Sequence, residues 1–382
     1  MHEVGHVTDT ASRIEVVRVE TEHLTALAGF YAAVWDPAAT ADKVRTSRRQ
    51  AGAANPVTPG EPPPTWIVLR NQLAIGHVTT IPISLWIDGV ERSAYWIKGL
   101  WVLPEFQRSA VGFLVLRAAV QELGPVAALA LAHDPAALRL FGALGFRDLG
   151  GLPNDLRVLN ARRVLGSVDP ATLPVGALAR SRGLRLAIRG AALFGPVCDL
   201  AMTTWAALAG GRLGSLSVTV SDQLDVPAAE SLWLAARDEV RAGPRRGGAE
   251  FAARYAAGYS FVHVRDGNRL AALGVLRPPS ADGDPRLRGV RVATLADLLY
   301  RPSEARAGLA VLRGAEWAAH EWGADALLSG ASIDAFRRLV RRRGFFRAPP
   351  NLRVMASVPA GGPPTLDHWW FTRGDSGGDG SF

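Results

Sequence analysis

Sulfur and lysine are scarce in this chain of 382 residues, which has one cysteine, three methionines and only two lysines, Lys43 and Lys98. The lone Cys198 excludes an intramolecular disulfide and a thiolate metal cluster, and it fits a reducing compartment. The eight histidines, at 2, 6, 23, 77, 133, 263, 320 and 368, form no ligand-spaced pair apart from His2 and His6, so no metal site is expected. The first residues carry Glu3 and Asp9 where a leader would have a basic stretch and an apolar core, so no signal peptide is expected and the expected location is cytoplasmic. Long apolar runs are missing too. The nearest to one, residues 190–209, is broken by Gly195-Pro196 and Asp199 and reads as an amphipathic or buried linker helix, with peripheral membrane contact as the lesser reading and no integral membrane segment.

The other 41 cationic side chains are arginine, and the net charge is +8. That excess would prompt a search for an anionic partner, but the arginines are dispersed apart from clusters at 241–246 and 337–343. With 40 glycines and 25 prolines, they read as the coding bias of a GC-rich, bacterial genome, and no DNA partner is expected. A composition of 48% hydrophobic and 20% charged residues is ordinary for a soluble globular protein, and the length allows two domains with full cores.

What is present is concentrated in residues 100–116, an apolar strand that stops at Pro104 and passes through a loop into a helix. Such a junction aims unpaired backbone N–H groups outward, where they and the helix dipole can hold a phosphate. Gln107, Arg108, Ser109, Ala110, Val111 and Gly112 would form the cradle. A helix to residue 123, an apolar run at 126–131 and a short helix within 133–146 closed by Gly145 follow. This order, with its Leu-Gly-Phe close, resembles the GNAT superfamily of acyl-CoA-dependent N-acyltransferases. Their pyrophosphate loop reads Q/R-x-x-G-x-G/A, which Gln107 and Gly112 match at the first and last positions, with Ala110 in place of the middle glycine.

The resemblance implies acetyl-CoA or another acyl-CoA as a substrate, held by Leu103 and the loop 107–112, with Asp134 and Phe141 at positions that line the same site in the family. It also implies a base for the amine acceptor and an acid for the thiolate. The strand 94–103 carries no carboxylate, and Lys98 is its only charge. Glu105 just past it and His77 on the neighbouring strand are the candidate bases. Asp134 stands where the family commonly has Asn, and Phe141 where it often has a Tyr acid; Phe141 cannot donate a proton.

Around this segment the chain predicts strands at 13–20, 66–70, 74–85 and 94–103, a helix at 22–35 and a loop at 51–64, with Asn71-Gln72 and Asp88-Gly89 as turns. A second run repeats the order. Pro104 to Gly145 spans 41 positions and Pro302 to Gly344 spans 42, each from a strand-ending Pro to a helix-ending Gly followed by Phe. The expectation is therefore an α/β (α+β mixed-sheet) protein of two tandem GNAT-like domains, at 12–160 and 226–372, joined by a helical bridging region at 161–225. The second domain has no small-residue loop but carries Asp297 where a base could sit. Its tail, residues 367–375, loosely resembles tandem members associated with polysaccharide biosynthesis. The expected activity is transfer of an acyl group, by direct attack on the thioester, to the amine of a small molecule such as an amino-sugar. Two alternatives stay open: a peptidoglycan-type aminoacyltransferase using aminoacyl-tRNA, with 160–212 as its tRNA arm, and a non-catalytic acyl-CoA-binding protein.

Overall fold

In a computed structural model the described residues are 14–167 and 213–380, except 256, 282, 284–288 and 359–360, with scattered positions from 190 to 204. His2, His6, Cys198 and most of the bridging region, including the expected linker helix, lie outside them. The chain is mixed α/β with two mixed sheets and divides into two compact units: residues up to 83, 93–148 and 355–361 form the first, and 84–92, 149–354 and 362 onward form the second.

In the first unit β1 (Ile14–Arg18), β2 (Thr65–Arg70) and β3 (Leu73–Ile87) run antiparallel, β4 (Val90–Val102) follows, and β5 (Ala127–Ala132) lies parallel to β4. The two hairpin turns hold left-handed backbone at Asn71 (φ 50°), Gln72 (66°), Asp88 (46°) and Gly89 (87°), as a two-residue connection between right-twisted strands requires. Strand alternation separates two apolar faces. On one, Val68, Ile75, Val78 and Ile97 pack against Val111, Val115 and Leu116 of α3 (Val111–Leu123) and Phe141 of α4 (Pro135–Ala143). On the other, Ile67, Leu69 and Ala74 meet Leu24, Leu27 and Phe30 of α1 (Leu24–Val34) and Val44 of α2 (Ala41–Ala54). The sequence pattern does not foresee α2 and places a loop over its last turn. The helix buries only Val44 and Gly52, so no 3.6-residue apolar period marks it, and Thr40 caps it by accepting from the Lys43 N–H at 3.3 Å.

The second unit repeats the plan. Strands β8 (Leu216–Ser221), β10 (Ser260–Asp266), β11 (Arg269–Arg277) and β12 (Val292–Tyr300) are antiparallel neighbours, and β13 (Ala326–Ser329) is parallel to β12. The crossover between the last two carries the long α6 (Ala305–Glu321), and α7 (Asp334–Arg342) follows β13. Both short final helices end alike. Gly145 (φ 82°) and Gly344 (φ 74°) are left-handed, and the next N–H, of Phe146 or Phe345, returns 3.0 Å to the carbonyl five residues back, Phe141 or Val340. Helix α5 (Val226–Ala236) gives way to a 3-10 turn and to β9 (Ala242–Pro244), where Gly243-Pro244 forbids helix and pairs with Leu85–Ile87.

Each sheet is also completed by a strand from far along the sequence. Strand β15 (Arg353–Ser357) lies between β5 and β6 (Arg147–Gly151) in the first sheet. Strand β7 (Asn154–Val158) lies between β13 and β14 (Phe346–Ala348) in the second, antiparallel to both.

Candidate active site

The parallel pairing of β4 with β5 stops at Ile97–Ala130, although β4 continues to Val102 and β5 to Ala132. Two residues past the last pair Gly99 takes φ 63°, a left-handed kink within the strand that turns β4 away from its neighbour. A glycine inside a run of strand formers is the signal that could have located this opening from the sequence. The gap leads into the loop that begins α3. Leu103 donates its N–H to the Ile75 carbonyl at 3.0 Å, Pro104–Phe106 make a 3-10 turn, and Ser109 turns inward, its hydroxyl donating to the Phe106 carbonyl at 2.6 Å and accepting from the Val111 N–H at 3.3 Å. Gln107 donates to the Val102 carbonyl at 3.4 Å. Among the described residues the N–H groups of Arg108, Ala110, Gly112 and Phe113 have no protein acceptor, and residues 107–110 are exposed. They form an outward-facing set of donors at a helix N-terminus, where an anion is favoured. Gly112 also has a packing reason: a Cβ there would lie 3.3 Å from Leu140 Cδ1 and 3.4 Å from Val102 Cγ2.

The remaining candidates fall in different environments. Asp134 caps α4, accepting from the Ala136 N–H at 2.9 Å, and Phe141 is buried edge-on against Phe146 at 5.1 Å between ring centres. Both therefore build α4 and its core. Glu105 is exposed in the first turn after Pro104. His77 is 1% exposed, on the α1 face of the sheet: Nδ1 pairs with the Gly99 carbonyl at 2.8 Å, Nε2 with the Tyr31 hydroxyl at 3.3 Å, and the ring stacks on Phe30. A carbonyl can only accept, so Nδ1 carries the proton and the tyrosine donates to Nε2. Burial pushes the imidazole pKa down to about 4, against the raising effect of the Gly99 bond and helped by the Arg48 charge.

The second unit has the same opening. Parallel pairing of β12 with β13 stops at Leu295–Ser329, and a bulge at Ala296 precedes Asp297. Here the gap is filled by the chain's own tail. Gly374 N–H donates to the Ala296 carbonyl at 2.7 Å, Arg373 N–H to Gly330 at 3.2 Å, and Ser332 N–H to Phe371 at 2.9 Å, with Thr372 bridged antiparallel to Ala331. Asp297 is 0% exposed beneath this plug. Its carboxylate accepts from Arg246 Nε at 3.0 Å, Arg254 at 3.0 Å, the Tyr255 hydroxyl at 2.8 Å and the Leu298 N–H at 2.8 Å. Burial opposes its ionisation, but Arg246 and Arg254 outweigh that and hold it below the ordinary carboxylate range. Asp375, paired with the same two arginines at 2.6 and 2.9 Å, is raised by burial. The sequence offered no sign of this cluster, because its members are scattered over 130 positions and meet only through the tail.

Among the described residues no group of three or more His, Cys, Asp or Glu is placed to hold a metal ion, and no helix is long and apolar enough to cross a membrane.

Residues 29–146, the stretch that holds the parted strands and the donor-rich helix start, match the Acetyltransferase (GNAT) family model. Solved structures with this fold include a GCN5-related N-acetyltransferase from Anabaena variabilis (12% identity, TM-score 0.54, covering 91% of this chain and 73% of that one). A probable N-acyltransferase from Enterococcus faecalis is similar at 10% identity and TM-score 0.55, covering 91% of this chain and 73% of that one. So is N-myristoyltransferase from Saccharomyces cerevisiae with bound myristoyl-CoA, at 12% identity and TM-score 0.51, covering 90% of this chain and 82% of that one. No curated protein matches by sequence.

Proposed function

We propose that the chain is an acyl-CoA-dependent N-acyltransferase, built of two GNAT-like domains, in which the first unit alone takes the acyl donor. The observation that carries this reading is the contrast between the two openings: the gap at Gly99 runs to four N–H groups that have no protein acceptor among the described residues, whereas the gap at Ala296 is closed by Phe371–Gly374. The donors at Arg108, Ala110, Gly112 and Phe113 fit a pyrophosphate, and the backbone of β4 past Ile97 fits the extended arm that follows it.

The amine acceptor then approaches from the α1 face and attacks the thioester carbonyl; the C–N bond forms, the C–S bond breaks, one amine proton passes to the base, and CoA leaves as the thiolate and is protonated by solvent. His77 is buried with both ring nitrogens hydrogen-bonded, to Gly99 and Tyr31, and Asp297 has its oxygens committed to two arginines, a tyrosine and the Leu298 N–H. Glu105, exposed three residues past the end of β4 beside the opening, is the base we retain, taking the proton through water. Acetyl as the acyl group and an amino-sugar as acceptor extend the same reading, which no observation here moves toward the aminoacyl-tRNA alternative.

Calorimetry with CoA tests it. One site per chain is expected, with Ser109→Asp abolishing binding because it places a carboxylate among the donors. Two sites, or unchanged binding in Ser109→Asp, would remove the assignment. In an acetyl-transfer assay Glu105→Gln is expected to lower kcat by roughly 10²-fold or more with unchanged CoA affinity.

A further inference from the structure

On the α1 face, beside the opening, stands an aromatic group that the proposed reaction does not use. Trp35, at the end of α1, is 48% exposed, and Trp101, on β4 between Gly99 and the loop, is 44% exposed. Their ring centres are 6.4 Å apart, and Trp35 also meets Tyr31 at 5.0 Å and His77 at 5.4 Å, each edge-on. Strand alternation fixes the side. Leu100 and Val102 pack with α3, so Trp101 between them points to the opposite face, where His77 and Phe30 lie. The Trp101 ring therefore flanks the stretch of β4 that no longer pairs with β5, on the face open to an acceptor.

Two large exposed rings side by side are costly to leave in water and offer flat apolar faces. The groups beneath them are rigid: His77 is held at both nitrogens, by Gly99 and Tyr31. The Arg48 charge acts on both Tyr31 and His77.

We propose that Trp35 and Trp101 form the acceptor platform, and that the acceptor is an amine carried on a flat ring, either an aryl ring or the C–H face of an amino-sugar, and not a polycation. This rests on the function proposed above and names its substrate class. Stacking takes the ring face, while a single ammonium is tolerated over the indole π-system. A polyamine would bring several positive charges toward Arg48.

The test compares three probes, tryptamine, glucosamine and spermidine, on the full chain, by kcat/KM for acetyl transfer and by saturation-transfer NMR for binding without turnover. Either ring amine is expected to exceed spermidine by about tenfold or more, and the preferred one tells aryl from sugar. Trp35→Ala and Trp101→Ala are expected to raise KM and Kd for that amine about tenfold with unchanged CoA affinity, and Trp→Phe at either position to restore most of the loss. Spermidine preferred, or both alanine variants binding the ring amine as the parent does, would overturn the platform while leaving the donor site standing. Failure of the unvaried protein to bind CoA would instead strike the function itself, and the NMR arm would still decide whether the platform takes ring amines.

Discussion

At the scale of single residues the candidate site separates into side chains that face solvent and side chains that hold the fold. His77 belongs to the second kind, and its protonation has a definite sign. With its folded pKa pushed to about 4, below an unfolded value near 6.5, the unfolded state binds a proton first as pH falls. The penalty is absent above pH 6.5, grows between 6.5 and 4, and reaches about 3 kcal/mol at one pKa unit per 1.36 kcal/mol. Urea denaturation from pH 7 to pH 4 should show that loss of stability, and His77→Gln should flatten it; an equal slope in the variant would assign the loss elsewhere. Asp297 has a parallel logic with a larger stake. In Asp297→Asn two arginines share the single carboxylate of Asp375, and a cost of roughly 3–5 kcal/mol is expected from breaking a buried ion pair on one side. A stable Asp297→Asn protein that had lost only kcat would instead restore Asp297 as a catalytic base. Legibility at this scale is uneven: the donor loop is contiguous and was readable as a string, whereas the partners of Asp297 are brought together by tertiary folding alone.

At the scale of elements, hairpins and amphipathic helices were legible because each carries its own signal. Asn71-Gln72 and Asp88-Gly89 take the left-handed backbone such turns demand, and both Gly-Phe helix ends adopt the same return bond. What escaped was of two kinds. The helix Ala41–Ala54 has almost no apolar face, and the short strands β6, β7, β14 and β15 are three to five residues long, too brief for a period to register. The tail was noticed as a motif, but its place as a plug is set by the carbonyl that the bulge at Ala296 leaves open. A side chain at Gly374 would meet the Tyr255 hydroxyl at 2.0 Å, so Gly374→Val should expel the tail and destabilise the second unit, measurable as a lower midpoint in urea. An unchanged midpoint would show the tail to be a loosely held appendage.

At the scale of the whole molecule the internal repeat predicted the order of elements but not the exchange of strands. Residues 154–158 lie in the second sheet and residues 353–357 in the first, so the expected boundary near 160 does not cut the chain into self-sufficient halves. A fragment ending at residue 160 should be insoluble or associate through the open side of β5, and adding residues 353–361 by a flexible linker should restore a monomer in sedimentation. A soluble, folded monomer without the added strand would refute this dependence.

The same exchange bears on how the chain is made. About 200 residues separate Gly151 from Arg353, and at a synthesis rate of ~5–20 residues per second the ribosome needs roughly 10–40 s to deliver the missing strand. For that interval Ala127–Ala132, an uncharged Ala-Ala-Leu-Ala-Leu-Ala ribbon, waits with one row of its hydrogen-bonding groups uncovered. Until residues 353–357 emerge, the nascent first unit carries an open sheet edge of the kind that favours association with another chain.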